Sequence, residues 1–259
     1  MNVENGVSNT GASFLFYKKW NVFKKMLKRG LTKRYVINIM LVTDTEKYLK
    51  NQYFVINKIL KRKGEIMKKQ LEELRSLLII VDMVNGFVKE GALADPNIQK
   101  IIPRQLELLK QYLNEKSAVV FIKDTHEKNS SEFKNFPPHC IKGTEEAELV
   151  DYLLPYEKQG ISIEKNSTSF MEAPAFREFI EKTNHLKEIS IVGCCTDICI
   201  ANGAIALSNY LDQQNRNVDI IVHQDATATY DEEHRQAYID AAYLLMEQKG
   251  IQLVKNFRK

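Results

Sequence analysis

Three of the chain's four cysteines fall within Gly193-Cys194-Cys195-Thr196-Asp197-Ile198-Cys199, directly after the apolar run Ile189-Ser190-Ile191-Val192. A greasy run that stops at glycine and gives way to small residues reads as strand, tight turn, helix. Such a turn sets a side chain at the carboxyl edge of a sheet, beside backbone N–H groups and a helix N-terminus. A thiol placed there is expected to have a depressed pKa and to act as a nucleophile. The segment by itself does not say which cysteine, and inert buried thiols would give the same residues. Two further residues end apolar runs, Asp82 after Leu77–Val81 and Lys165 after Ile161–Ile163. Alone, the first reads equally well as a helix cap and the second as a solvated lysine. Beside a thiol they form a working set. Lys165 would stabilise the thiolate, and Asp82 would take its proton and pass it to a leaving amine.

A second group lies in Asp124-Thr125-His126, Glu132 and Phe136-Pro137-Pro138-His139. An aspartate and a histidine two apart in a loop, closed by a later histidine, form a nitrogen and oxygen ligand set. That set suits Zn²⁺ and also accommodates Mn²⁺ or Fe²⁺. His185, His223 and His234 have no comparable setting.

The elements that must position these residues are apolar on both faces. Leu77–Val81, Ala118–Ile122 (ending near Asp124), Ile161–Ile163, Ile189–Val192, Val218–Val222 (ending near Asp225) and Ile251–Val254 read as six strands. Helical patterns lie between them, including Ile98–Tyr112 and Arg235–Gln248. Continuous apolar strands alternating with helices predict a single doubly wound α/β domain with a mostly parallel six-stranded sheet, of the Rossmann-like three-layer kind. Sites in such sheets lie at the carboxyl ends of the strands, where Asp82, Asp124, Lys165 and the cysteine turn fall.

The 259 residues, 44% hydrophobic and 27% charged, are ordinary for a globular protein. A net charge of +4, with no basic stripe interleaved with aromatics, argues against nucleic acid. Crowded cysteines argue against a disulfide framework and for a reducing cytoplasm. The apolar run Tyr35–Val42 is far too short to cross a bilayer, so no membrane partner is expected.

Residues 1–66 are rich in Lys, Asn, Tyr and Phe and carry no clear period. Lys63 to Met67 can be encoded AAA-GGA-GAA-AUA-AUG, which sets a purine-rich GGAG just ahead of a start codon. The expectation is that 67–259 is the α/β domain starting at Met67, with 1–66 translated upstream sequence or a dispensable arm. A genuine helical extension is the competing expectation.

Taken together, Ile80-Val81-Asp82-Met83-Val84-Asn85-Gly86-Phe87, Asp124-Thr125-His126, Phe136-Pro137-Pro138-His139-Cys140 with Gly143-Thr144, Glu164-Lys165, and Gly193 to Cys199 resemble the cysteine hydrolases of the isochorismatase-like superfamily. Within it they resemble the nicotinamidase/pyrazinamidase branch. The resemblance covers about residues 74–255, in order, and misses 1–66. It implies that Cys199 is the nucleophile and that Asp82 and Lys165 are its catalytic partners. It implies a cis Cys194–Cys195 peptide and an oxyanion hole made by the backbone N–H groups of Cys195 and Cys199. It implies metal ligation by Asp124, His126 and His139, with Glu132 as a fourth ligand, and a place for Phe87 in the substrate pocket. Cys140 would be a packing residue. The implied activity is hydrolysis of nicotinamide to nicotinate and ammonia through a cysteine thioester, with a divalent metal, zinc foremost, orienting the ring. The expected partners are a small-molecule amide and further copies of the chain. Asn166-Ser167-Thr168-Ser169-Phe170 departs from the Tyr-Ser-Ala-Phe common in nicotinamidases, which leaves room for a related amidohydrolase acting on a carbamoyl or ureido compound. A non-catalytic binding module of the same fold is the remaining alternative, disfavoured by the complete Asp82, Lys165, Cys199 set.

Overall fold

A computed structural model describes residues 71–230 and 233–255. The expected boundary at 66/67, the arm before it and the start at Met67 lie outside these residues. Six strands form one sheet: β1 (Ser76–Val81), β2 (Ala118–Asp124), β3 (Ile161–Lys165), β4 (Glu188–Cys194), β5 (Asp219–Ala228) and β6 (Gln252–Val254). Their order is β3-β2-β1-β4-β5-β6, and every pairing is parallel. Consecutive residues of β1 feed opposite faces. Leu77, Ile79 and Val81 join one core, while Leu78 and Ile80 join the other. The first core is closed by α2 (Pro174–Lys182), α3 (Ala201–Gln213) and α4 (Arg235–Gln248), and the second by α1 (Ile102–Asn114). Helices on both faces explain why the central strands β1, β2 and β4 carry no polar stripe, while the edge strand β3 exposes Ser162 and Glu164.

The order reverses between β1 and β4, which start connections leading to opposite edges of the sheet. Side chains beyond the carboxyl ends of these two strands and of β2 and β3 therefore converge on one crevice.

Two expectations need correction. The continuous helical pattern at Ile98–Tyr112 is two helices, a short one at Pro96–Gln99 and α1 from Ile102. Pro103 has no N–H to bond back to the Gln99 carbonyl and suits only the first turn of a helix. The fifth strand does not stop near Asp225. Its pairing with β4 jumps from Ile191↔Val222 to Gly193↔Thr227, and it continues to Ala228.

Gly193 makes the close approach at the switch point. Its φ is +125°, and a Cβ built on it would lie 2.0 Å from the Val81 carbonyl oxygen of the neighbouring strand. No side chain fits there, and the conformation itself is one that other residues avoid. Gly193→Ala is therefore expected to cost about 3 kcal/mol or more, read as a fall in Tm of roughly 10 °C or as loss of soluble protein. Gly143→Ala, with φ +81° but nothing within 4 Å of its Cβ, should cost only ~1 kcal/mol. Equal losses in thermal melts would contradict the packing argument.

Candidate active site

Asp82 leaves β1 in the left-handed region, with φ 53°. Its N–H donates to the Ile122 carbonyl at 2.9 Å, and its own carbonyl accepts from the Cys194 thiol at 3.1 Å. It does not cap a helix: the following short helix, Asn85–Val88, starts from Val84. The unusual backbone turn aims a fully buried carboxylate into the crevice. Lys165, the last residue of β3, is only 2% exposed. Its Nζ lies 2.7 Å from Asp124 Oδ1, 2.9 Å from Asp82 Oδ2 and 3.7 Å from Cys199 Sγ. The Asp82 contact is ionic but poorly aligned for hydrogen bonding, and neither Asp82 oxygen has a well-directed donor from the protein. The carboxylate keeps lone pairs available inside the crevice.

The three cysteines of the turn have different surroundings. The Cys194–Cys195 peptide is cis. Cys194 spends its thiol on the Asp82 carbonyl. Cys195 and Cys199 line the crevice. Residues Thr196–Ile200 form one wide helical turn that runs into α3, and the carbonyl of Cys195 accepts from Ile198 and Ile200. Only Cys199 faces the Lys165 ammonium.

Protonation follows from burial. Burial pushes the Asp82 carboxyl up to about 6, the Lys165 charge opposing and the Asp124 charge assisting. Burial likewise raises the Cys199 thiol well above its ordinary value; Lys165 pulls it down, but Asp82 and Asp124 push it further up. The depressed thiol pKa expected from a helix N-terminus is thus not found. An enclosed sulfur beside two carboxylates costs more to ionise than one ammonium and a helix end recover. Burial also opposes charge on Lys165, yet the two carboxylates hold its pKa well above the ordinary value. For Asp124 burial is again the largest influence, but the Lys165 ammonium, together with His126 and His139 wherever they present an N–H to it, holds it far below the carboxylate range.

The second group closes on Asp124. Its Oδ2 lies 2.9 Å from His126 Nε2 and 3.1 Å from His139 Nε2, and Glu132 Oε1 lies 3.9 Å from His126 Nε2. Four ligand atoms, one each from Asp124, His126, Glu132 and His139, lie within 4.8 Å of one another. The outer nitrogens are committed. His139 Nδ1 is 2.8 Å from the Pro137 carbonyl, and His126 Nδ1 is 2.9 Å from Asn166 Oδ1. The Pro137 carbonyl can only accept, so a neutral His139 carries its proton on Nδ1 and turns the Nε2 lone pair toward a carboxylate oxygen. Lone pairs converging on a carboxylate are relieved by a cation between them, so these residues fit a divalent metal. Backbone bonds hold the loop in place: His126 N–H donates to the Cys140 carbonyl and Lys142 N–H to the His126 carbonyl. Cys140 itself is buried packing beside Gly86.

A cleft opens over both groups, lined by Phe87, Leu93, Phe136, Ile198 and Tyr230 together with Asp124, Glu132, His139, Cys195 and Cys199. The Phe87 ring lies 5.5 Å from the His139 ring. All the residues expected at the site are thus brought together. Leu93, Ile198, Tyr230 and the Asn166 support of His126 were not foreseen. Asn166 stands next to Lys165 and could have been suspected, but nothing in the sequence marks Tyr230.

The isochorismatase domain model matches residues 76–252. The chain is 31% identical over 173 residues to nicotinamidase 1 of Arabidopsis thaliana, covering 60% of this chain and 69% of that protein. The fold matches the crystal structure of nicotinamidase PncA from Bacillus subtilis with a TM-score of 0.59 at 28% identity, over 70% of this chain and all of that one. It also matches the pyrazinamidase of Pyrococcus horikoshii, solved in complex with zinc, with a TM-score of 0.58 at 26% identity, over 70% and 99% of the two chains. With its parallel sheet, its crevice and the matched span in agreement, the chain belongs to the isochorismatase family of hydrolases.

Proposed function

We propose that the protein is a cysteine amidase that hydrolyses nicotinamide, or a close pyridine carboxamide, to the acid and ammonia. The observation that carries the reading is the Lys165 ammonium lying within 4 Å of Asp82, Asp124 and Cys199 at once. Cys199 Sγ attacks the carboxamide carbon as Asp82 takes the thiol proton. This transfer moves a proton from one buried acid to another and leaves the net charge of the site unchanged, so Lys165 offsets the anion in both states. The carboxamide oxygen collects the negative charge and is held by the backbone N–H groups of Cys195 and Cys199. Asp82 returns the proton to the departing ammonia, leaving a thioester. Asp82 then takes a proton from water, whose oxygen adds to the acyl carbon. The thiolate leaves and is reprotonated, and the acid is released.

Asp124, His126, His139 and Glu132 would hold the divalent metal, zinc foremost. When bound, it supplies a Lewis-acidic anchor for a ring nitrogen, orienting the substrate. The cleft walls favour a neutral, flat amide. Phe87, Phe136, Tyr230 and the His139 ring are aromatic, and among the described lining residues there is no lysine or arginine to receive a substrate carboxylate. Lys165 is already matched by two carboxylates. That supports an aromatic amide over a carboxylate-bearing member of the second reading, a carbamoyl or ureido compound, for which the departure at Asn166–Phe170 is the sequence signal.

Four results are expected. Cys199→Ala lowers ammonia release from nicotinamide by at least ~1,000-fold. Cys194→Ala loses only a buried hydrogen bond, keeps most of its turnover and melts lower by an amount corresponding to about 1–3 kcal/mol. Equal loss of activity in both would overturn the assignment of the nucleophile. Since Asp82 must be ionised to accept the thiol proton, kcat/KM should fall as pH drops through about 6; a limb near 4, the range of ordinary carboxylates, would show that another group is the base. Chelation of the metal should raise the Kd for nicotinamide in Cys199→Ala protein, measured by calorimetry, and an unchanged Kd would contradict the ring-anchoring role.

A further inference from the structure

Tyr230 reaches the cleft only because β5 runs past its register jump to Ala228. Residues on both sides of it are fastened. The Thr229 hydroxyl donates to Asp197 Oδ1, inside the turn that carries Cys199. Arg235, the first residue of α4, donates from Nε to the Thr229 carbonyl at 3.2 Å. Its Nη2 meets Asp95 Oδ2 at 2.6 Å. Asp95 is anchored in turn: its Oδ1 accepts from Asn97 N–H at 2.7 Å, capping the helix at Pro96–Gln99, and its N–H donates to the Phe87 carbonyl at 3.0 Å. One guanidinium therefore bridges two stretches that otherwise meet nowhere in sequence. One carries Leu93 and Phe87 and the other carries Tyr230, and all three residues line the cleft. The ion pair is largely shielded, with side chains 26% and 19% exposed. A short, shielded arginine–carboxylate contact holds its geometry better than a surface pair.

We infer that Tyr230 is a specificity-determining contact for the substrate's ring, and that Arg235 and Asp95 are positioning residues that act through it. The inference rests on the reading of the cleft as an amide-binding pocket. A tyrosine gives a flat aromatic wall that loses little rotamer freedom on binding. This aromatic wall is supplied from just past the end of β5. The clamp would then set how closely that wall meets the ring. It makes no direct contact with Asp82, Lys165 or Cys199 and meets the Cys199 turn only through the Thr229 hydroxyl, so its main effect falls on binding rather than on the chemical step.

The test is steady-state kinetics on the full-length, metal-loaded protein, first across a panel of aromatic, aliphatic and ureido amides, then on the amide that wild type hydrolyses best. Tyr230→Ala should raise KM about tenfold with kcat within about twofold, while Tyr230→Phe, which keeps the ring, should raise KM less than Tyr230→Ala does. Arg235→Gln, and Asp95→Asn, which keeps a capping oxygen, should each raise KM about three- to fivefold. In the Tyr230→Ala background they should add nothing further, because they act through the ring that is gone. Tyr230→Leu, which retains apolar bulk, replaces Tyr230→Ala if thermal melts show the latter unfolded. A KM unchanged on losing the aromatic ring, or clamp effects that add in full to that loss, would overturn the inference. Wild type that ignores nicotinamide overturns the substrate reading instead, and the two failures are separable because the variants are compared on the best amide.

Discussion

The Lys165 ammonium is the constraint on which the rest of the site depends. Burying it would cost several kcal/mol if it were unmatched. It is matched twice, by Asp82 and Asp124, and the two pairings join functions that could have been separate. Asp124 shares one oxygen with the lysine and turns the other to His126 and His139. The same ammonium therefore organises both the thiol side of the crevice and the ligand side. Removing it would leave two buried carboxylates facing each other, so the charge cannot be deleted without remaking the site.

The fold supplies this arrangement through the switch point. β2 and β3 end on Asp124 and Lys165, Asp82 follows β1 and Cys199 sits on the turn after β4, so a parallel sheet with an order that reverses between β1 and β4 gathers them. Local backbone makes the last adjustment. Gly193 lets β4 pass against Val81, and the left-handed turn at Asp82 points its carboxylate inward. Cys194, the least reactive-looking of the three clustered thiols, ties the two together by donating to the Asp82 carbonyl.

Much of this is legible in the residues. Asp82 directly follows an apolar run, and Asp124 and Lys165 come within two residues of shorter ones, so each marks the carboxyl end of a strand. The Asp-x-His spacing with a later histidine likewise marks a ligand set wherever the loop lies. What could not be read is equally specific. The extension of β5 through Thr227 depends on pairing beyond a register jump, which no local pattern encodes, and Tyr230 is carried into the cleft by that extension. The Cys199 pKa runs opposite to the expectation because a helix terminus is visible in sequence while the burial opposing it is not. Pro103 was legible, and the break before α1 follows from its missing N–H.

The central claim is that Cys199 forms a covalent acyl bond with a pyridine carboxamide at this site. Rapid quenching of the protein with nicotinamide in acid, followed by peptide mass spectrometry, tests it directly. The account predicts a nicotinoyl adduct confined to the peptide's Cys199 and absent from Cys199→Ala protein. An adduct on Cys194 or Cys195, or turnover with no trapped adduct on any thiol under single-turnover conditions, would contradict it.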